Sequence, residues 1–132
     1  MDIFVSYTTR DYYIDRELLE RMSEILSNYG NCYIDLLHNN AIHNKQQYVE
    51  QMLSQAKLLL LISSDSIDKS EWVQWELCEA ERRRIPIIVI QAKPDLNETL
   101  NNLKSKLASI MQVNYHCFRT ISVSYSIQLI SN

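Results

Sequence analysis

Apolar positions along the chain switch repeatedly between two periods. Ile3 to Tyr7 is a short β-branched and aromatic run that gives way to a polar loop, Thr8-Thr9-Arg10-Asp11. Ile14, Leu18, Leu19, Met22, Ile25 and Leu26 then recur at helical spacing. That pattern stops at Asn28-Tyr29-Gly30-Asn31, where Gly30, the only glycine, suits a left-handed helix cap. Cys32 to Leu37 reads as a second strand, His38 to Asn44 as a polar loop, and the segment bearing Tyr48, Val49, Met52, Leu53 and Ala56 as a helix. Leu58 to Ile62 is apolar without interruption, as in a strand covered on both faces, and marks the centre of a sheet. A serine-rich loop (Ser63, Ser64, Ser66) leads to a helix that starts near Trp72 and ends in Arg82-Arg83-Arg84, followed by Pro86 and a strand from Ile87 to Ile90. Asp95 to Met111 carries Leu96, Leu100, Leu103, Leu107 and Ile110, the stripe of an amphipathic helix. A fifth strand is expected over Val113 to Phe118 and a short last helix over Ile121 to Ile130.

Strands alternating with helices predict an α/β fold, a three-layer sandwich around a central parallel five-stranded sheet with right-handed crossovers. The 132 residues, 46% of them hydrophobic, fit a single domain over 1–132. Thirteen Lys plus Arg against sixteen Asp plus Glu leave a net charge of -3, which disfavours nucleic acid as a partner. No apolar stretch approaches the roughly 18 residues that span a bilayer, and Asp2 stands where a signal peptide would be basic, so a cytoplasmic protein without a membrane partner is expected. Cys32, Cys78 and Cys117 are odd in number and form no CxxC pair, and they read as reduced, buried thiols.

In open parallel sheets ligands bind at the carboxyl ends of the strands. Three polar loops converge there: Thr8 to Asp11, His38 to Asn44, and Ser63 to Ser70. On the helix that follows the third loop, Trp72 and Glu76 lie four apart on one face, while Val73, Leu77, Ala80 and Arg84 form the neighbouring stripe. Val73, Leu77 and Ala80 are adequate to bury the helix, so packing alone does not call for Glu76. A carboxylate near a helix start also complements the macrodipole, and a large aromatic there is an ordinary packing anchor. Trp72 can serve as anchor and pocket wall at once. The run Arg82-Arg83-Arg84 reads as a solvated helix end. His38, His43 and His116 lack a completing carboxylate or cysteine, so no metal is expected. Cys78 and Cys117 sit in apolar runs and read as core residues, which disfavours a Cys/His nucleophile. Ser6-Tyr7-Thr8 and Ser63-Ser64 occupy the places where a phosphotransfer receiver needs acids. Neither GxGxxG nor GxxxxGK[ST] occurs.

Taken in order, Asp2-Ile3-Phe4-Val5-Ser6-Tyr7, Tyr33-Ile34-Asp35, Leu58 to Ser63, Ser70-Glu71-Trp72-Val73-Gln74-Trp75-Glu76-Leu77 and Ile85-Pro86-Ile87-Ile88-Val89-Ile90 resemble a bacterial-type Toll/interleukin-1 receptor (TIR) domain over about the first 95 of the 132 residues. Each motif is short, and their ordered combination is what is specific. The resemblance implies a flavodoxin-like fold and an enzyme that cleaves the nicotinamide glycosidic bond of NAD+, with NAD+ as substrate and no cofactor. It implies Glu76, four residues after Trp72, as the catalytic glutamate. It also implies substrate contacts from Ser6, Tyr7, Thr8 and Arg10 on the first loop and from Asp35 and Leu36 at the end of the second strand, with Trp72 as a wall. Cleavage gives an oxocarbenium-like ribose that a carboxylate stabilises, and nicotinamide leaves neutral without a strong general acid. Water, the substrate's own adenine or another nucleophile as acceptor would give ADP-ribose, a cyclic product or a conjugate. Antiphage defence of the Thoeris type is the expected setting, because the chain reads as TIR throughout and its product would diffuse to a separate effector protein. Self-association through TIR contacts is expected too. The second loop departs from the family pattern in lacking a Pro-Gly turn, and Asn39 or Asn40 is expected to supply the positive φ instead. Trp75 beside Glu76 is a second departure, either an exposed indole that meets a partner or a half-exposed one. The alternative function is a non-catalytic TIR adaptor, which needs no carboxylate at position 76.

Overall fold

The computed structural model describes residues 2–41 and 43–119, with side chains as far as Ile110. Four strands, β1 (Ile3–Ser6), β2 (Cys32–Ile34), β3 (Leu58–Ser63) and β4 (Ile87–Gln91), form one parallel sheet in the order β2-β1-β3-β4. Register is set by hydrophobic pairs, Ile3 opposite both Cys32 and Leu58 and Leu60 opposite Ile88. Because side chains alternate across a strand, each strand feeds two cores. Ile3, Val5, Leu58, Leu60, Ile62, Ile88 and Ile90 pack on one face beneath α1 (Arg16–Leu26) and α5 (Leu96–Arg119). Phe4, Tyr33, Leu59 and Ile87 pack on the other beneath α3 (Lys45–Gln55) and α4 (Glu71–Arg82). The three expected layers are present.

Among the described residues the sheet has four strands, not five. Val113 to Phe118, expected as the fifth, belongs to α5, which runs unbroken to Arg119. No glycine or proline lies between Leu96 and Arg119 to stop that helix, and extending a helix costs far less than nucleating a new element. The helix expected over Ile121 to Ile130 lies outside the described residues.

Two local expectations are also corrected. The second strand ends at Ile34, and Asp35–His38 forms a single helical turn, α2. His38 causes this: its Nδ1 accepts the Ile34 backbone N–H at 2.9 Å, which folds the chain back on itself. Among the described residues of the second loop the left-handed one is Asn44 (φ 55°), not Asn39 or Asn40; its side chain caps α3 by accepting from Gln47 N–H at 3.2 Å. Gly30, at φ 152°, takes the positive φ foreseen for it, in the turn after α1 rather than as the cap residue itself. Cys78 is exposed on α4 and Cys32 partly buried, so the expectation of buried thiols fails for Cys78. Among the described residues no helix is long and apolar enough to cross a membrane.

Candidate functional site

The strand order reverses between β1 and β3, since the chain leaves β1 toward β2 and returns on the far side to β3. At such a switch point the loops part and leave a crevice at the carboxyl ends of the strands. Ser6 is the last residue of β1, and period-two alternation turns it to the same face as Phe4, toward α4. Ser70 N-caps α4, its Oγ accepting the Val73 N–H at 3.2 Å. From that start Val73, Glu76 and Ala80 form the buried stripe of the helix, with Leu77 only partly buried. Glu76 therefore belongs to the packed face itself rather than to a stripe beside it.

The Ser6 hydroxyl donates to Glu76 Oε1 at 2.7 Å, and the Glu76 residue is only 4% exposed. Burial pushes its carboxyl up to about 8; the Ser6 hydrogen bond opposes this, the negative charge of Asp35 adds to it, and the Trp72 indole opposes it more weakly. Around the carboxyl lies a cleft of about 260 Å³ lined by Val5, Tyr7, Thr8, Thr9, Asp35, Leu36, Trp72 and Glu76. Two larger hollows, about 440 Å³ against β4 and α5 and about 360 Å³ at the opposite end of β1 and β2, contain no buried carboxyl.

Each wall is held by its own bonds. Tyr7 Oη accepts the Leu36 N–H at 2.8 Å, tying the first loop to α2, and burial pushes the Tyr7 phenol up to about 12. Asp35 Oδ1 accepts from Tyr33 Oη at 2.6 Å and from Asn39 Nδ2 at 2.8 Å. Burial lifts the Tyr33 phenol well above its ordinary range, and the bond to Asp35 adds to the effect. Burial also lowers the His38 imidazole, which keeps Nδ1 free to accept from Ile34. On the far side Asp11 grips Ser66 through the backbone N–H and the hydroxyl, both at 2.9 Å, and Tyr13 Oη accepts the Asp65 N–H at 3.0 Å. These bonds fasten the first loop to the loop after β3 across the switch point.

Six of the seven other residues expected at the site, Ser6, Tyr7, Thr8, Asp35, Leu36 and Trp72, come together around Glu76. Arg10 does not line the cleft; it is exposed, and its backbone N–H bonds Thr8 Oγ1 at 3.3 Å. Trp72 is 40% exposed and stacks on Trp75, with ring centroids 5.4 Å apart and planes at 26°. Trp75 is the half-buried member, packed against the second core, so of the two readings of that indole the half-exposed one holds. Tyr33, His38, Asn39 and Asp11 support the walls through bonds that the sequence reading did not foresee. Strand period puts Tyr33 and Asp35 two apart on one side, which was a usable signal; the pairing of Asp11 with Ser66 had none, because the two lie 55 residues apart.

A search among curated proteins finds no match to the chain. A family model described as TIR domain matches residues 3–118, which includes every element from β1 to nearly the end of α5. With the parallel sheet, the switch-point cleft and the match agreeing, the chain belongs to the TIR domain family.

Proposed function

We propose that the chain is a TIR enzyme that cleaves the nicotinamide glycosidic bond of NAD+, with Glu76 as its catalytic carboxylate. The observation that carries this reading is Glu76 itself: a residue 4% exposed, its carboxyl bonded to Ser6 at 2.7 Å and lining a cleft whose walls include Trp72 and Tyr7. A buried acid on the packed face of a helix, with no cation beside it among the described residues and at the ligand-binding end of a parallel sheet, is a functional-site signature. At about 260 Å³ the cleft is smaller than the ~300–1,000 Å³ that encloses a whole drug-sized ligand, so it suits the nicotinamide and its ribose while the rest of the dinucleotide lies across Thr8, Thr9 and Leu36.

In the reaction the bond between ribose C1′ and the pyridinium nitrogen breaks, and its electron pair leaves with nicotinamide. Positive charge moves onto the ribose, and a carboxylate fixed beside it stabilises that charge in a site with little water to screen it. Trp72 and Tyr7 hold the planar ring. The acceptor decides the product: ADP-ribose from water, a cyclic nucleotide from the substrate's adenine, a conjugate from another nucleophile. We place this product as a signal in Thoeris-type antiphage immunity, made in the cytoplasm, read by a separate effector, with the enzyme self-associating through TIR contacts.

Incubation of the purified protein with NAD+ and mass spectrometry of the products tests the reading. Release of nicotinamide is expected, with Glu76→Gln slower by about 10²–10³-fold. Unchanged turnover in that variant removes the role of Glu76, and no turnover even with infected-cell extract removes the enzyme. A second reading, a TIR adaptor, draws on the exposed Leu36 and Trp72 at 43% and 40% on one rim. It predicts capture of other TIR proteins that survives Glu76→Gln and no nucleotide product.

A further inference from the structure

Glu76 is a buried acid without a counter-charge. Its one hydrogen-bond donor on another element is the Ser6 hydroxyl of β1, and it enters no ion pair among the described residues. The ionisable groups facing it are Asp35 from α2 and the Tyr7 phenol from the first loop; its own helix offers only the neutral Trp72 indole. Neither ionisable group brings positive charge, and among the described residues no Lys, Arg or His lines the cleft. Ionising a buried carboxyl next to a second acid, with no cation at hand, is unfavourable. A flat cation entering the cleft reverses that balance, because it supplies the missing charge and stacks on an indole face.

We propose that Glu76 is a neutral acid in the empty cleft and gives up its proton to solvent when a cationic pyridinium seats beside it, so that Glu76 and Asp35 together select an oxidised, positively charged nicotinamide over neutral rings of the same shape. The carboxyl O–H bond breaks with its electron pair kept on oxygen, and a buffer base takes the proton; no oxidant or reductant is involved. The inference rests on the cleft being the NAD+ site and adds how that site recognises its substrate. The substrate thereby creates the carboxylate that later faces the charged ribose. The rise of the carboxyl to about 8 through burial agrees with this order of events.

The test uses 1-methylnicotinamide, a pyridinium cation with no glycosidic bond to cleave, against neutral nicotinamide. Calorimetric titrations at pH 7 in buffers of different ionisation enthalpy count the protons exchanged. Close to one proton released is expected for the cation and none for nicotinamide. Affinity for the cation is expected to rise about tenfold from pH 6 to pH 7 and to level off above pH 8, while that for nicotinamide stays flat. Glu76→Gln is expected to abolish both the release and the pH dependence. Asp35→Asn keeps the release and loses part of the preference for the cation. A release below half a proton, or a cation bound no better than nicotinamide at pH 8, overturns the proposal. NAD+ cleavage measured alongside separates the two ideas. Cleavage without proton release overturns this inference and leaves the proposed function standing, whereas proton release without cleavage supports the inference and removes the enzyme.

Discussion

Glu76 ties a titration inside the cleft to the stability of the fold. Its folded-state carboxyl lies at about 8 against an ordinary 4.5, so the native protein holds a proton that the unfolded chain releases. The sign follows: this contribution is fully present below about pH 4.5 and is lost as pH rises through about 8, at roughly 1.4 kcal/mol per pH unit in between. Glu76→Gln removes the titration. The Tm of ligand-free Glu76→Gln is therefore expected to gain on the wild type steadily from pH 5 to about pH 8 and to level off above it, and a constant difference from pH 5 to pH 8 would contradict the assignment. Tyr7 acts at the rim. Its hydroxyl oxygen accepts the Leu36 N–H, and Tyr7→Phe deletes that acceptor while keeping the ring. A loss of about 1 kcal/mol is expected, read as an approximately fivefold higher KM for NAD+ with a smaller change in kcat, in initial-rate measurements.

Among the elements, α4 carries the site because its N-terminus is fixed. Ser70 is buried and caps the helix through Val73 N–H, one turn before Glu76. Ser70→Ala is expected to cost ~1 kcal/mol, lowering Tm by about 3–5 °C by calorimetry, and to slow NAD+ cleavage by loosening Glu76. The tryptophan and the glutamate could both be read from the sequence Ser70 to Leu77, since helix geometry follows from spacing alone. So could β1, β3 and β4, whose apolar runs match the strands to within a residue. What could not be read depends on contacts between segments. The turn of α2 hangs on a bond from Ile34 N–H to His38, a residue that in sequence is only part of a polar loop. The place of Arg10 outside the cleft follows from its loop turning at Thr8, and a spacing rule has no access to that. Val113 to Phe118 is β-branched and aromatic enough to suggest a strand, yet α5 enters it already formed.

At the scale of the molecule, two cores clamp one sheet and leave the carboxyl ends of its inner strands to a ring of loops. The bonds of Asp11 to Ser66 and of Tyr7 to Leu36 span that ring on either side of Glu76, so the crevice is braced by the same loops that line it. The stacked indoles at its edge have a consequence for how the protein can be watched. The chain holds two tryptophans, and both are in the one pair, Trp72 over Trp75 at 5.4 Å. At that separation their transitions mix, and the pair should give a bisignate exciton band in circular dichroism. Trp72→Phe is expected to erase the couplet while the helical signal stays. The protein thus has a built-in optical gauge confined to the first turns of α4, one that under the proposed function would respond to a ring seated in the cleft without any attached dye.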